Sequence, residues 1–197
     1  MIRRLPVIPT IIVLAAVAVM IGLGMWQLRR AHWKDGLLAQ YAKAEQLPPI
    51  AWPTVPVSAD RLPLYRHATG VCLRSVGQRT MAGENRDGEP GYVHIVDCST
   101  GAEGPGMSVE LGWSKDPNAK FNWSGGPVSG LIAPDRKSRM RLVEASAPAG
   151  LEPSAPPSLS SIPNNHRSYA LQWFSFAAIA LIIYGLAVKK RLGESKV

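Results

Sequence analysis

The run Asn164-Asn165-His166-Arg167-Ser168-Tyr169-Ala170-Leu171-Gln172-Trp173-Phe174 puts an imidazole beside aromatic side chains at the start of a long apolar stretch. In a helix, His166, Tyr169, Ala170 and Trp173 fall on one face, at i, i+3, i+4 and i+7. An imidazole in that setting can ligate a metal or a haem iron resting partly in lipid. A plainer reading stands beside it. Trp and Tyr collect at membrane interfaces whatever the function, and a His among them can simply hydrogen-bond headgroups. A second cluster is Gly24-Met25-Trp26-Gln27-Leu28-Arg29-Arg30-Ala31-His32-Trp33-Lys34. Trp26, Arg30 and Trp33 share a helical face there. Arg30 can pair with an anionic headgroup or a cofactor carboxylate, or snorkel from an aromatic belt.

Each cluster adjoins an apolar run that must position it. Residues 5–28 and 169–188 hold no charged residue, and each run is long enough to cross a bilayer, which takes about 20 residues. Between them lies a polar segment, 29–168, rich in Pro and Gly. The net charge of +8 is unevenly spread. The middle segment has 16 Lys/Arg against 13 Asp/Glu, a net of +3. Arg3, Arg4, Lys189, Lys190, Arg191 and Lys196 against Glu194 leave +5 outside it. Basic residues massed at span ends set orientation and do not suggest nucleic acid as a partner. Lys189, Lys190 and Arg191 place the C-terminus in the cytoplasm, and two spans return the N-terminus there. Residues 1–4 and 189–197 are then cytoplasmic and the middle domain periplasmic. A small-x-small triplet, Ala16-Val17-Ala18, occurs in the first run. The run continues to Leu28, longer than a signal-peptide core of about 7–15 residues, so an uncleaved anchor is expected. With only four residues ahead of it, no mitochondrial transit peptide is visible, which favours a bacterial inner membrane.

The first helix should continue beyond the membrane, since Leu37, Leu38, Tyr41 and Ala42 recur at helical spacing until Pro48 and Pro49 stop it. Residues 46–63 should be extended. Strands are predicted over 66–76, 79–82, 92–98, 107–113, 128–133 and 140–144. A hairpin turn is predicted at 84–88, where Asp87-Gly88 is the signal. Met107, Val109, Leu111 and Trp113 alternate with polar or small residues, as in a half-buried strand. The Pro-, Ala- and Ser-rich residues 145–163 read as an extended tether. Ala18 and Gly22 form a small-xxx-small pair that would let the spans approach closely. Cys72 and Cys98 could bond in an oxidising compartment or lie separately buried in neighbouring strands. Without CxxC spacing, and with Met81, Met107 and Met140 scattered, a zinc ribbon or copper-delivery site is not indicated. The expected class is a membrane protein, with two transmembrane helices and a small β-rich (α+β) periplasmic domain between them.

Taken together, Gly24-x-Trp26-Gln27-x-x-Arg30-x-x-Trp33-Lys34 and Asn164-x-His166-x-x-Tyr169-x-x-x-Trp173-Phe174 resemble the two signatures of the Surfeit locus protein 1 family. Gly91-Tyr92-Val93 and Leu111-Gly112-Trp113 resemble its middle strands, although the family's usual Arg before Gly-Trp is Leu111 here. The resemblance implies an assembly factor for haem-copper cytochrome c oxidase. It would work with the oxidase catalytic subunit and other assembly factors in the inner membrane. It further implies that haem a is bound, with His166 matching the family's proposed iron ligand. Trp26, Arg30, Tyr169 and Trp173 would line the same interfacial pocket, with Arg30 near the propionates. The alternative is a membrane-anchored scaffold that docks oxidase subunits without cofactor. Whether a second copy of the chain supplies a second His stays open. His32, His67 and His94 are weaker ligand candidates. No dinucleotide loop, P-loop, GxSxG or HExxH occurs, so a non-enzymatic role is expected.

Overall fold

The computed structural model describes residues 6–53, 55–101 and 106–194. The chain divides into two compact units, Met1–Leu37 with Pro163–Val197, and Leu38–Ile162.

The first unit is helical. Helix α1 (Val7–Glu45) and helix α2 (His166–Glu194) are both long and apolar enough to cross a membrane. Helix α1 has 39 residues, roughly 58 Å at 1.5 Å per residue, which exceeds the ~30 Å hydrocarbon layer of a bilayer. Its C-terminus falls three residues before Pro48, as the proline pair requires. Val17, Gly24 and Ala31 are the buried residues of α1, spaced by sevens. Ala170 and Ala177 in α2 are buried at the same spacing. The seam therefore differs from the expected one. Ala18 and Gly22 are exposed, and nothing lies within 4 Å of where a Gly22 side chain would start. The sevenfold repeat keeps one stripe in register along paired helices, whereas the 18/22 pair lies off that stripe.

The second unit is built on one mixed seven-stranded sheet, in the order β1-β2-β6-β7-β5-β4-β3. The strands are β1 (Ile50–Ala51), β2 (His67–Cys72), β3 (Arg74–Glu84), β4 (Pro90–Ser99), β5 (Met107–Ser114), β6 (Gly126–Asp135) and β7 (Arg139–Glu144). The pairs β1/β2 and β5/β7 are parallel, the others antiparallel. Strands β2 and β3 stand near opposite ends of this order, yet only Leu73 separates them in sequence. The sheet must curl so that these regions meet. A Cys72–Cys98 disulfide, with Cα atoms 5.3 Å apart, joins β2 to β4 there. The Leu73 N–H bonds Ser99 O at the same corner. The strand expected over 66–76 is thus cut at Leu73. The short one expected over 79–82 is an 11-residue strand whose alternating exposure suits a low-hydrophobicity edge.

Inside the curl lie Trp52, Ala68, Cys72, Val96, Cys98, Met107, Val109, Leu111, Val128, Ile132 and Leu142. Strand β5 corrects the sequence reading most clearly. Its residues Met107–Trp113 are all buried, including Ser108 and Glu110. His94 pairs with Gly112 and Ile95 with Glu110, so Leu111 is the extra residue of a bulge. The bulge reverses the alternation. Leu111 joins the main core, whereas Trp113 packs with Val93, Ile95 and Met81 in a separate cluster. The buried Ser108 and Glu110 side chains on this strand are paired. Glu110 accepts from Arg141 Nε at 2.6 Å, and Ser108 Oγ donates to Asp97 at 2.7 Å.

The tether expected over 145–163 is extended, but its middle is docked. Trp113 and Glu152 exchange backbone hydrogen bonds, and Ala155 N–H bonds Glu84 O. Gly112 makes this fit possible, because a Cβ there would stand 2.7 Å from Glu152 O.

Asp135 anchors the β6–β7 turn. Its Oδ2 accepts from the Lys137 and Ser138 N–H groups, from Ser138 Oγ and from Arg79 at 2.9 Å. Burial alone would raise its pKa, but the Ser138 hydrogen bonds and the Arg79 guanidinium outweigh burial and hold the carboxyl at about 2. A carboxylate depressed on folding stabilises the native state above its unfolded pKa and loses that contribution as pH falls toward its folded value. Between pH 4 and pH 2 the protein should therefore lose about 2 kcal/mol through this group. Asp135→Asn should be less stable at pH 7 and show a flatter acid limb in denaturant titrations. Parallel limbs in the two proteins would assign the acid loss elsewhere. Reduction of the disulfide, which closes a loop across a sequence separation of 26, should lower stability by about 3 kcal/mol. Denaturant midpoints with and without reductant check this.

Candidate functional site

Helices α1 and α2 run antiparallel, as a ladder of contacts shows. The hydroxyls of Thr10 and Tyr184 bond to each other. Next comes the Phe174 ring over Gly24, where an added Cβ would lie 2.5 Å from the ring. One turn on, His166 Nδ1 donates to Gln27 Oε1 at 2.7 Å. At the last rung, Asp35 accepts from Asn164 Nδ2 at 2.8 Å and from the Arg167 guanidinium at 2.9 Å, and Lys34 Nζ donates to Pro163 O. Glycine at position 24 has a packing reason here, since a β-carbon would displace the ring.

His166 is the first residue of α2 and is half-buried. A side-chain amide oxygen can only accept, so Nδ1 carries a proton, and in the neutral ring this leaves the lone pair on Nε2. Among the described residues no side chain or backbone group bonds that Nε2. A histidine fixed through Nδ1–H and open at Nε2 is the arrangement found in metal-ligating imidazoles. A lone imidazole nitrogen of this kind is a donor that would suit a haem iron, were haem bound. Among the described residues no group of three His, Cys, Asp or Glu side chains could hold a bare metal ion.

Among the described residues, none of the other predicted site residues makes a hydrogen bond to His166. Arg30 is exposed and stacks over the Trp33 ring, 4.7 Å from its centroid. Trp26 and Tyr169 are about half exposed. Trp173 is half-buried and meets Phe176 edge-on, with centroids 6.2 Å apart. Of the face expected at 166, 169, 170 and 173, only Ala170 is fully packed. His32 and His67 are exposed. His94 is buried in the second unit, bonded through Nε2 to Ser114 Oγ at 2.8 Å and set edge-on to Phe121. Burial lowers its pKa, against weaker opposing influence from Asp116, so it is a neutral, packed histidine.

Sequence reasoning gave Gln27, Asp35 and Asn164 no role. For Gln27 a signal existed. It lies at i+3 from Gly24 and i−4 from Ala31, which marks a polar side chain on a small-residue seam near the end of an apolar run.

Replacing Gly24 with Leu should push α2 away. Cysteines placed at Thr10 and Tyr184 should then cross-link far less than in the parent, and Phe174→Ala should restore the yield. Unchanged cross-linking in the Leu variant would show that Gly24 is not a close contact.

A profile of the SURF1 family matches residues 14–178, which takes in both helix-end clusters and the whole sheet. No curated protein matches the chain. The profile covers well over half of the sequence, and the chain belongs to the SURF1 family, whose members are associated with cytochrome c oxidase assembly.

Proposed function

We propose that this protein is a membrane-anchored assembly factor that holds haem a through His166 and assists its insertion into the catalytic subunit of cytochrome c oxidase. The observation that carries the reading is the His166–Gln27 hydrogen bond, which leaves Nε2 open at the start of α2. Haem a, when bound, supplies an iron that accepts an imidazole nitrogen and an apolar tail compatible with lipid. The chain's own residues do the rest. His166 offers one nitrogen, and a carrier has to bind its cargo yet release it to an acceptor of higher affinity. Exposed Arg30 offers a planar guanidinium whose forked donors suit carboxylates. Tyr169, Trp26 and Trp173 offer aromatic surface of the kind enriched at bilayer edges.

The membrane placement follows from the same reading. Helices α1 and α2 cross the inner membrane, Lys189, Lys190 and Arg191 stay in the cytoplasm, and the sheet domain is periplasmic. The Cys72–Cys98 disulfide supports this, because structural disulfides persist in oxidising compartments.

The test is the absorption spectrum of detergent-purified protein from cells making haem a, beside His166→Ala. A haem a spectrum reduced at least tenfold in a variant that still inserts supports the carrier. Haem-free protein in both preparations, with oxidase subunits still captured, replaces it with the scaffold. Equal haem in both removes His166 as the ligand.

A further inference from the structure

We infer that Gln27 is the positioning residue of the site, setting the tautomer and direction of His166 so that Nε2 is the nitrogen presented. The inference rests on the carrier reading for its purpose, but not for its geometry.

An imidazole at the first position of a helix has a free χ2 and two tautomers of similar energy in water. Left alone, it would offer either nitrogen in several directions. Here a single acceptor removes that freedom. Gln27 Oε1 stands 2.7 Å from Nδ1, and an amide oxygen stabilises only the Nδ1–H form. The acceptor is itself held. Gln27 is half-buried on α1, between Gly24, which closes on Phe174, and Ala31, which is 2 % exposed. The helix ends are tied on the far side by Asp35 to Asn164 and Arg167. So the Gln27 carbonyl meets His166 because packing on one side and an ion pair on the other fix the two backbones. A carbonyl accepting from Nδ1–H also makes Nε2 a better donor to a cation. The contact joins residues 139 apart in sequence, so it does not arise from local helix geometry.

The neighbouring polar groups do different work. Arg30 faces Trp33, and Arg167 and Asn164 face Asp35. Among the described residues none of them reaches the His166 ring by a hydrogen bond. That leaves Gln27, among the described residues, as the group that chooses between the two ring nitrogens.

The test uses the full-length protein in detergent, with haem a as the probe. Two readouts are taken on wild type, Gln27→Leu, Gln27→Glu and His166→Ala. The first is the ¹⁵N chemical-shift pair of His166 without haem, which reports the tautomer directly. The second is haem a affinity by absorption titration. Wild type should show protonated Nδ1 and bare Nε2. Gln27→Leu should mix the tautomers and weaken haem a binding about 10- to 100-fold, the usual range for loss of an outer partner of a metal-bound histidine. Gln27→Glu should restore the Nδ1–H form and most of the affinity, which a merely structural role would not achieve. If Gln27→Leu keeps both tautomer and affinity while His166→Ala loses haem, the positioning role is overturned and the carrier stands. If wild type binds no haem a yet Gln27→Leu still mixes the tautomers, the carrier reading fails and the positioning role survives. Thr10/Tyr184 cross-linking in Gln27→Leu confirms that the helices remain paired.

Discussion

The absence of a side chain at Gly24 is the constraint on which the helical unit turns. Phe174 occupies the space a β-carbon would fill. Apolar helices gain little from burying each other in lipid, because acyl chains are as apolar as leucine, so association depends on close packing and on polar contacts between helices. Gly24 supplies the first and Gln27 the second, one turn apart. His166 can reach Gln27 only if the backbones approach at this level. The Asp35 cluster then fixes the ends, where exposed ion pairs contribute little energy but still favour one register.

The sheet domain solves a different problem with different means. A curled sheet has to bring β2 and β3 round to each other, and the single residue Leu73 leaves no slack for a loop. The disulfide and the Leu73–Ser99 hydrogen bond lock that corner. The bulge at Leu111 then redirects Trp113 away from the main core, where the docked segment around Glu152 covers its strand. Charges follow the same economy. Glu110, 3 % exposed, is tolerable because Arg141 meets it at 2.6 Å, and an unpaired carboxylate at that depth would be strongly destabilising.

What could be read from the sequence divides along physical lines. Long uncharged runs and the Pro48-Pro49 stop are local signals, and they located α1 and α2 well. Alternation located most strands. It misled at β5, since a bulge is set by pairing with β4 and leaves no mark in hydrophobicity alone. Residues 145–163 read as a tether because Pro and Ala look uncommitted, and backbone bonds to Trp113 and Glu84 depend on a surface the segment itself does not encode. The expected seam at Ala18 and Gly22 failed for a related reason. Small residues permit contact on any face, and only the sevenfold row of Val17, Gly24 and Ala31 specifies which one. His166 stood out by residue type and place. Its partner did not, because a glutamine within a basic aromatic cluster has many ordinary explanations, and the selecting fact is a contact across 139 residues.

Under the proposed role, that long-range contact couples ligand binding to helix pairing. Separated helices would leave the Gln27 amide at the end of an apolar run without its partner, and an unsatisfied polar group is costly in apolar surroundings. Paired helices satisfy it and in the same act fix His166 as the Nδ1–H form. Under the proposed role, a ligand that takes Nε2 favours that tautomer and so favours pairing. By linkage, pairing favours the ligand to the same degree. A partner that loosens α1 from α2 would then weaken the grip on the cargo without touching it. Such a coupling suits a protein whose task ends in handing the cargo over, because the contact that makes the site also provides a way to undo it.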